Sequence, residues 1–349
     1  MTSNQVVDGA RSSAASPARR PGPPLLDHLS EAWDDPARRP TVLAGAACLG
    51  LLTLFFRDTL WDFYYSWSKD ENYSHGFLVP FLSLYFANQV AAKGPVPLRG
   101  GAALGGTMLG LGILTRLVAI PLPIPFLGEL AFLASLAGLF AVLAGSAALR
   151  RYWFPFFFLL FMVPLPIALY TRIASPLQLM ASQMASAVMN FTGLPVLCEG
   201  NHMTLPGGVQ MFVAEACSGM RQMTGFLALA TAVAYLTTRP GWYRAVVVLA
   251  ALPIALTANV ARIVLTGYVM HHVNPQYASG AYHTLEGILM MGFGLLMLNS
   301  LCTLMNQLTP PPAEAEGGPA GGTAAAFPAR AMLNMNMNLV SLPSPKEAS

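Results

Sequence analysis

Long runs of nearly uncharged apolar residues constrain this chain more than any other feature. A helix rises about 1.5 Å per residue, so about 20 apolar residues cover a hydrocarbon core. The pattern predicts about eight transmembrane helices, at residues 41–56, 74–90, 102–121, 129–148, 152–170, 218–237, 243–270 and 283–308. Composition agrees, with 54% of the residues hydrophobic and 10% charged, against roughly 25% charged in an ordinary soluble domain. The expected fold class is an all-α integral membrane protein.

The flanks have a different character. Residues 1–40 are rich in Pro, Ala, Ser and Arg, and no apolar core follows a short basic start. They are therefore expected to be a disordered cytoplasmic tail and not a cleavable signal peptide. Residues 309–349, with their Gly-Gly-Pro-Ala-Gly-Gly run and Asn/Met-rich end, are expected to form a second disordered tail, leaving 41–308 as the transmembrane domain. Within that domain, residues 173–191 are dotted with Ser and Gln and predict an amphipathic helix along the outer interface. Residues 196–213 carry β-branched side chains around a turn at Pro206–Gly208, which predicts a small strand-like cap between spans five and six.

Lys and Arg in short loops set orientation. Alternating sides gather Arg38, Arg39, Lys93, Arg99, Arg150, Arg151, Arg239 and Arg244 on one face. The opposite loops hold mainly Arg57, Lys69 and Arg172, diluted by Asp58, Asp62, Asp70 and Glu71. The first face is expected to be cytoplasmic, with both termini there. Cys217, the Arg262 end of the seventh span and the His283 start of the eighth then share the extracytoplasmic side, as does the cap.

Several function classes are excluded. The net charge is only +3, and no basic block interleaved with aromatics suggests a nucleic-acid surface. Four cysteines, Cys48, Cys198, Cys217 and Cys302, are too few and too spread for a disulfide scaffold, and they form no CxxC pair. No phosphate loop, HExxH, GxSxG or paired catalytic carboxylates occur. No metal and no cofactor are expected.

The chemistry-bearing residues lie at span ends. Cys217 stands where a polar connection turns into an apolar helix, in Val-Ala-Glu-Ala-Cys-Ser-Gly-Met-Arg-Gln. A helix N-terminus and a nearby cation both favour a thiolate, which makes Cys217 the best nucleophile in the chain. The plainer alternatives are a buried inert thiol or a disulfide with Cys198. Arg262 lies inside an apolar run with Asn259 three residues earlier on the same helix face. Such a guanidinium either binds a developing oxyanion or a substrate carboxylate, or snorkels to headgroups. His283 opens the last span with Glu286 one turn on. An imidazole can move the thiol proton to a leaving amine while a carboxylate holds its tautomer, or it can simply cap a helix. His271 and His272 fit the capping role. Glu215 and Arg221 flank Cys217 and suit either a substrate contact or a structural ion pair, and Gln222 beside them is a further candidate for tuning substrate choice.

Together these stretches resemble the exosortases and the related archaeosortases. The resemblance rests on Glu-Ala-Cys-Ser-Gly at 215–219, Asn-Val-Ala-Arg-Ile at 259–263 and His-Thr-Leu-Glu-Gly at 283–287. It is supported by Asn-Tyr-Ser-His-Gly-Phe-Leu-Val-Pro at 72–80 and by Met-Val-Pro-Leu-Pro at 162–166, whose Pro164 and Pro166 are expected to break the fifth span as a backbone effect. It implies a membrane cysteine peptidase-transpeptidase in the plasma (inner) membrane that cleaves PEP-CTERM-type sorting tails from exported proteins through a thioester. The implied partners are those exported proteins and membrane lipids. The implied roles are Cys217 as nucleophile, Arg262 as oxyanion or substrate stabiliser and His283 as general acid/base. Members of this family often carry a further C-terminal domain outside the membrane, where this chain is expected to have only a tail. Two alternatives stay open: a protease that ends in hydrolysis, and a transporter or structural component of exopolysaccharide export. The latter predicts charges along a mid-depth pathway instead of at one face.

Overall fold

The computed structural model describes residues 24–94, 101–122, 124–213, 220–273 and 281–309, and of residues 71, 220–221 and 281–284 it describes the backbone alone. The chain is mostly helical and divides into two compact units, Met1–Pro166 and Ile167–Ser349. Four helices are long and apolar enough to cross a membrane: Ala102–Ala119, Pro125–Ala144, Gly241–His272 and Leu285–Leu308. Two further spans arise if Arg39–Phe55 with Arg57–Lys69, and Trp153–Met162 with Ile167–Phe191, are each read across their break. Four to six candidate spans therefore stand where eight were expected. Two of the expected spans hold shorter helices: the second a helix of 13 residues, Val79–Ala91, and the sixth an apolar helix at Gln222–Leu236.

The first unit contains α1 (Pro24–Asp34), α2 (Arg39–Phe55), α3 (Arg57–Lys69), α4 (Val79–Ala91), α5 (Ala102–Ala119), α6 (Pro125–Ala144), α7 (Ser146–Arg151) and α8 (Trp153–Phe158). Helix α1 falls in the stretch expected to be a disordered tail. The Leu25 N–H donates to Asn88 Oδ1 of α4 at 3.1 Å, which helps to order it. Helices α2, α4 and α6 each carry Pro in the first turn, where its missing N–H forfeits no helical bond. Helix α6 stops at Gly145, whose φ of +94° suits glycine. Helices α5 and α6 pack backbone to backbone, since a Cβ on Gly138 would stand 2.5 Å from the Leu109 amide nitrogen. Close approach through glycine is a usual device between membrane helices.

The fifth expected span is not one helix. After α8 a short 3-10 turn ends at Met162, and helix resumes only at Ile167. Pro164 and Pro166 lack the N–H groups that would continue the ladder, so carbonyls before them need other partners. Trp67 Nε1–H donates to Met162 O at 2.9 Å, His75 Nε2 lies 3.1 Å from Phe161 O, and the Leu165 N–H donates to the Tyr73 hydroxyl at 3.1 Å. The motifs at 72–80 and 162–166 thus meet as one structural joint, and His75 has a backbone partner there.

The second unit contains α9 (Ile167–Phe191), the strands β1 (Leu197–Glu199), β2 (His202–Thr204) and β3 (Gln210–Phe212), then α10 (Met220–Leu236), α11 (Gly241–His272) and α12 (Ala281–Leu308). The expected amphipathic segment at 173–191 is the larger part of α9. The strand-like stretch is an antiparallel sheet in the order β1-β2-β3, with Met203 opposite both Cys198 and Met211. Met203, Met211 and Val213 pack with Ala181, Ala185 and Met189 of α9 and with Val260, Ile263 and Met270 of α11 in one core. A second core joins α10, α11 and α12 through Phe226, Ala230, Val247, Ala251, Ala255, Ala258 and Leu298. Between them they fix the face of α11 that carries Asn259 and Arg262.

Candidate active site

Along α11 the residues Asn259, Arg262 and Thr266 recur at spacings of three and four, which places them on one helical face. Arg262 is only 2% exposed. A snorkelling arginine would keep its head at the surface; this one is enclosed. Its Nη2–H donates to Asn259 Oδ1 at 2.9 Å, and Asn259 is itself fully buried. A buried charge is tolerated when it is hydrogen-bonded, and the i,i+3 amide supplies part of that.

One turn further along α11, the Thr266 hydroxyl lies 2.5 Å from Glu286 Oε1 of α12 and 3.0 Å from the Arg262 carbonyl. Glu286 is 2% exposed. Asn259, Arg262 and Thr266 of α11 and Glu286 of α12 thus form a polar layer in which the Thr266 hydroxyl links the Glu286 carboxyl group to the Arg262 main-chain carbonyl. Asn259, Arg262 and Glu286 each make interactions beyond these.

The remaining expected site residues stand as follows. Cys217 and Glu215 lie outside the described residues; Cys217 precedes the first residue of α10, Met220, by three positions. The backbones of Arg221 in α10 and His283 in α12 are described, but their side chains are not. His283 lies in the first turn of α12, three residues before Glu286. Cys198 is a free thiol on β1 whose Sγ donates to Gly200 O at 3.4 Å. Burial pushes its pKa up, which keeps it protonated and a poor nucleophile at neutral pH.

Thr266 was not anticipated from the sequence. Its only signal is its place four residues after Arg262, since a threonine in an apolar helix ordinarily bonds back to a carbonyl of the preceding turn. No His, Cys, Asp and Glu group among the described residues has the arrangement of a metal site.

A family model described as transmembrane exosortase matches residues 67–300, about two thirds of the 349 residues. The match takes in the positions of Cys217, Arg262 and His283. Comparison with curated proteins and with solved structures gives no match.

Proposed function

The chain belongs to the transmembrane exosortase family, and on that premise we propose that it is a cysteine peptidase-transpeptidase that removes C-terminal PEP-CTERM-like sorting tails from exported proteins. The observation that carries this reading is the buried Arg262, aligned by Asn259 on a helix long and apolar enough to cross a membrane. A guanidinium held in place by its neighbours presents a fixed charge, which suits the stabilisation of an oxyanion that develops during acyl transfer.

The Cys217 thiolate attacks the carbonyl carbon of the substrate peptide bond. Arg262 stabilises the negative oxygen of the tetrahedral intermediate. When that intermediate collapses, the C–N bond breaks and the His283 imidazolium gives its proton to the leaving amine. The product is a thioester on Cys217. An acceptor nucleophile, an amine, a hydroxyl or water, then attacks the thioester, yields its proton to His283 and releases the thiolate. Glu215, Arg221 and Glu286 are supporting groups around this chemistry.

The positive-inside pattern supports a site on the extracytoplasmic side of the plasma membrane with both termini in the cytoplasm and the sheet as an outer cap. A substrate whose tail helix shares the bilayer meets such a site at high effective concentration.

The test co-expresses an exported protein bearing such a tail, encoded in the same genome, with the wild type or with Cys217→Ala, and follows the substrate by intact mass. Membrane insertion of the variant is checked alongside. Tail loss with the wild type alone is expected. Added mass on the cleaved product identifies an acceptor, and its absence identifies hydrolysis. A substrate left intact by both, or cut equally by both, overturns the nucleophile and returns the lead to a transport or structural role.

A further inference from the structure

Gln222 interrupts an otherwise apolar stripe. Residues 222, 226, 230 and 234 of α10 recur every four positions, and all four are buried. Phe226, Ala230 and Ala234 belong to the core shared with α11 and α12. At Gln222 the same stripe carries a carboxamide that is only 3% exposed, and among the described residues neither its Oε1 nor its Nε2 has a hydrogen-bond partner. A leucine or methionine would continue the stripe without leaving a donor and an acceptor unpaired.

The register of the three helices locates that amide. The short connection between Leu236 and Gly241 makes α10 and α11 antiparallel neighbours. Phe226 packs against the backbone of Gly294, where an added Cβ would collide with its ring. One turn from Phe226 toward the start of α10 lies Gln222; two turns from Gly294 toward the start of α12 lies Glu286. On α11 the core residues Ala251, Ala255 and Ala258 give way to Asn259 and then Arg262. Gln222 therefore occupies the floor of the polar layer, where the apolar core ends. Cys217 is five residues before it in the chain.

We propose that Gln222 is a substrate-binding residue whose carboxamide pairs with a main-chain amide of the sorting tail beside the bond that Cys217 attacks. This rests on the cysteine-peptidase reading above. A carboxamide offers one carbonyl acceptor and two N–H donors on one plane, which matches the C=O and N–H of an extended peptide. A main-chain amide of the tail would supply both the donor and the acceptor that the buried carboxamide calls for. Recognition through the main chain fixes the depth of the peptide without demanding a particular side chain. A site built to hydrogen-bond its substrate discriminates against one that lacks the partner group.

The test uses the full-length chain in liposomes, as wild type, Gln222→Met, Gln222→Leu and Cys217→Ala. The probe is a synthetic tail peptide with a short motif, an apolar helix and a basic end. A companion series replaces each main-chain N–H of the motif in turn by an ester oxygen. Gln222→Met is expected to lower kcat/KM on the all-amide peptide by about tenfold, chiefly through KM, and to melt no lower than the wild type. One ester peptide is expected to cost the wild type a similar factor while Gln222→Met treats it like its amide parent. Three results overturn the inference: Gln222→Met cleaves as the wild type does, every ester slows both enzymes equally, or both Gln222 variants melt several degrees lower, which makes the amide a structural bond. If the wild type cleaves and Cys217→Ala does not, any of these removes the role of Gln222 alone. If the wild type and Cys217→Ala cleave equally or not at all, the peptidase reading falls and takes the inference with it.

Discussion

Asn259 touches Arg262 and is fully buried, so its effect on any reaction passes through the guanidinium. Replacing it by alanine frees the fork to adopt other rotamers. We expect Asn259→Ala to lower kcat by about tenfold, the loss of one charge-assisted hydrogen bond. Arg262→Ala is expected to cost about 10²–10³, as for removal of an oxyanion donor. Because the two act as a unit, the double variant should be no slower than Arg262→Ala alone, and losses that multiply would show that Asn259 acts independently. Thr266 holds the carboxyl group of the layer. Thr266→Val keeps the shape but leaves Glu286 short of a donor, and should destabilise the protein by about 1–3 kcal/mol. Thr266→Ser should restore the wild-type melting temperature, because only the hydroxyl is needed at 2.5 Å from Oε1.

At the scale of elements, the break between α8 and α9 is where chain chemistry and motif meet. Trp67 and His75 face the Met162 and Phe161 carbonyls across the joint. Trp67→Phe retains the ring stacking on Phe63 but removes the donor, and a buried carbonyl left unpaired costs about 1–3 kcal/mol. A lower melting temperature in detergent, with helicity unchanged by circular dichroism, is the expected result; unchanged melting would mean that the carbonyl needs no indole. The Pro-x-Pro break was legible in the sequence because proline acts locally through its missing N–H. So was the sheet, because β-branched residues flank the glycine turn at Pro206–Gly208, where Gly207 takes φ of +82°. The Asn259–Arg262 pair was readable from its spacing alone. The orphaned amide of Gln222 and the Thr266–Glu286 bond were not, since burial and cross-helix register depend on how α10, α11 and α12 pack. For the same reason apolar content does not tell a continuous crossing from a short or broken one, as at α4 and at Trp153–Met162.

For the molecule as a whole, a family of this kind can act on exported proteins only if its polar layer opens on the far side of the membrane from the ribosome. Helix α11, with 32 residues, is about 48 Å long at 1.5 Å per residue. That exceeds a hydrocarbon core of about 30 Å, so its two ends project into opposite aqueous or headgroup layers. The positive-inside rule predicts a cytoplasmic position for the end preceded by Arg239 and bearing Arg244, and with it an outward position for the Arg262 end. Single cysteines test this in a background in which Cys48, Cys198, Cys217 and Cys302 are serine. A membrane-impermeant maleimide applied to intact cells should label Glu199→Cys on the exposed edge of β1. It should label Lys93→Cys after α4 and Thr238→Cys between α10 and α11, both exposed positions, only after the cells are opened. Labelling of Thr238→Cys in intact cells with Glu199→Cys protected would invert the chain, put the polar layer on the cytoplasmic side, and leave a peptidase for exported proteins without access to its substrates.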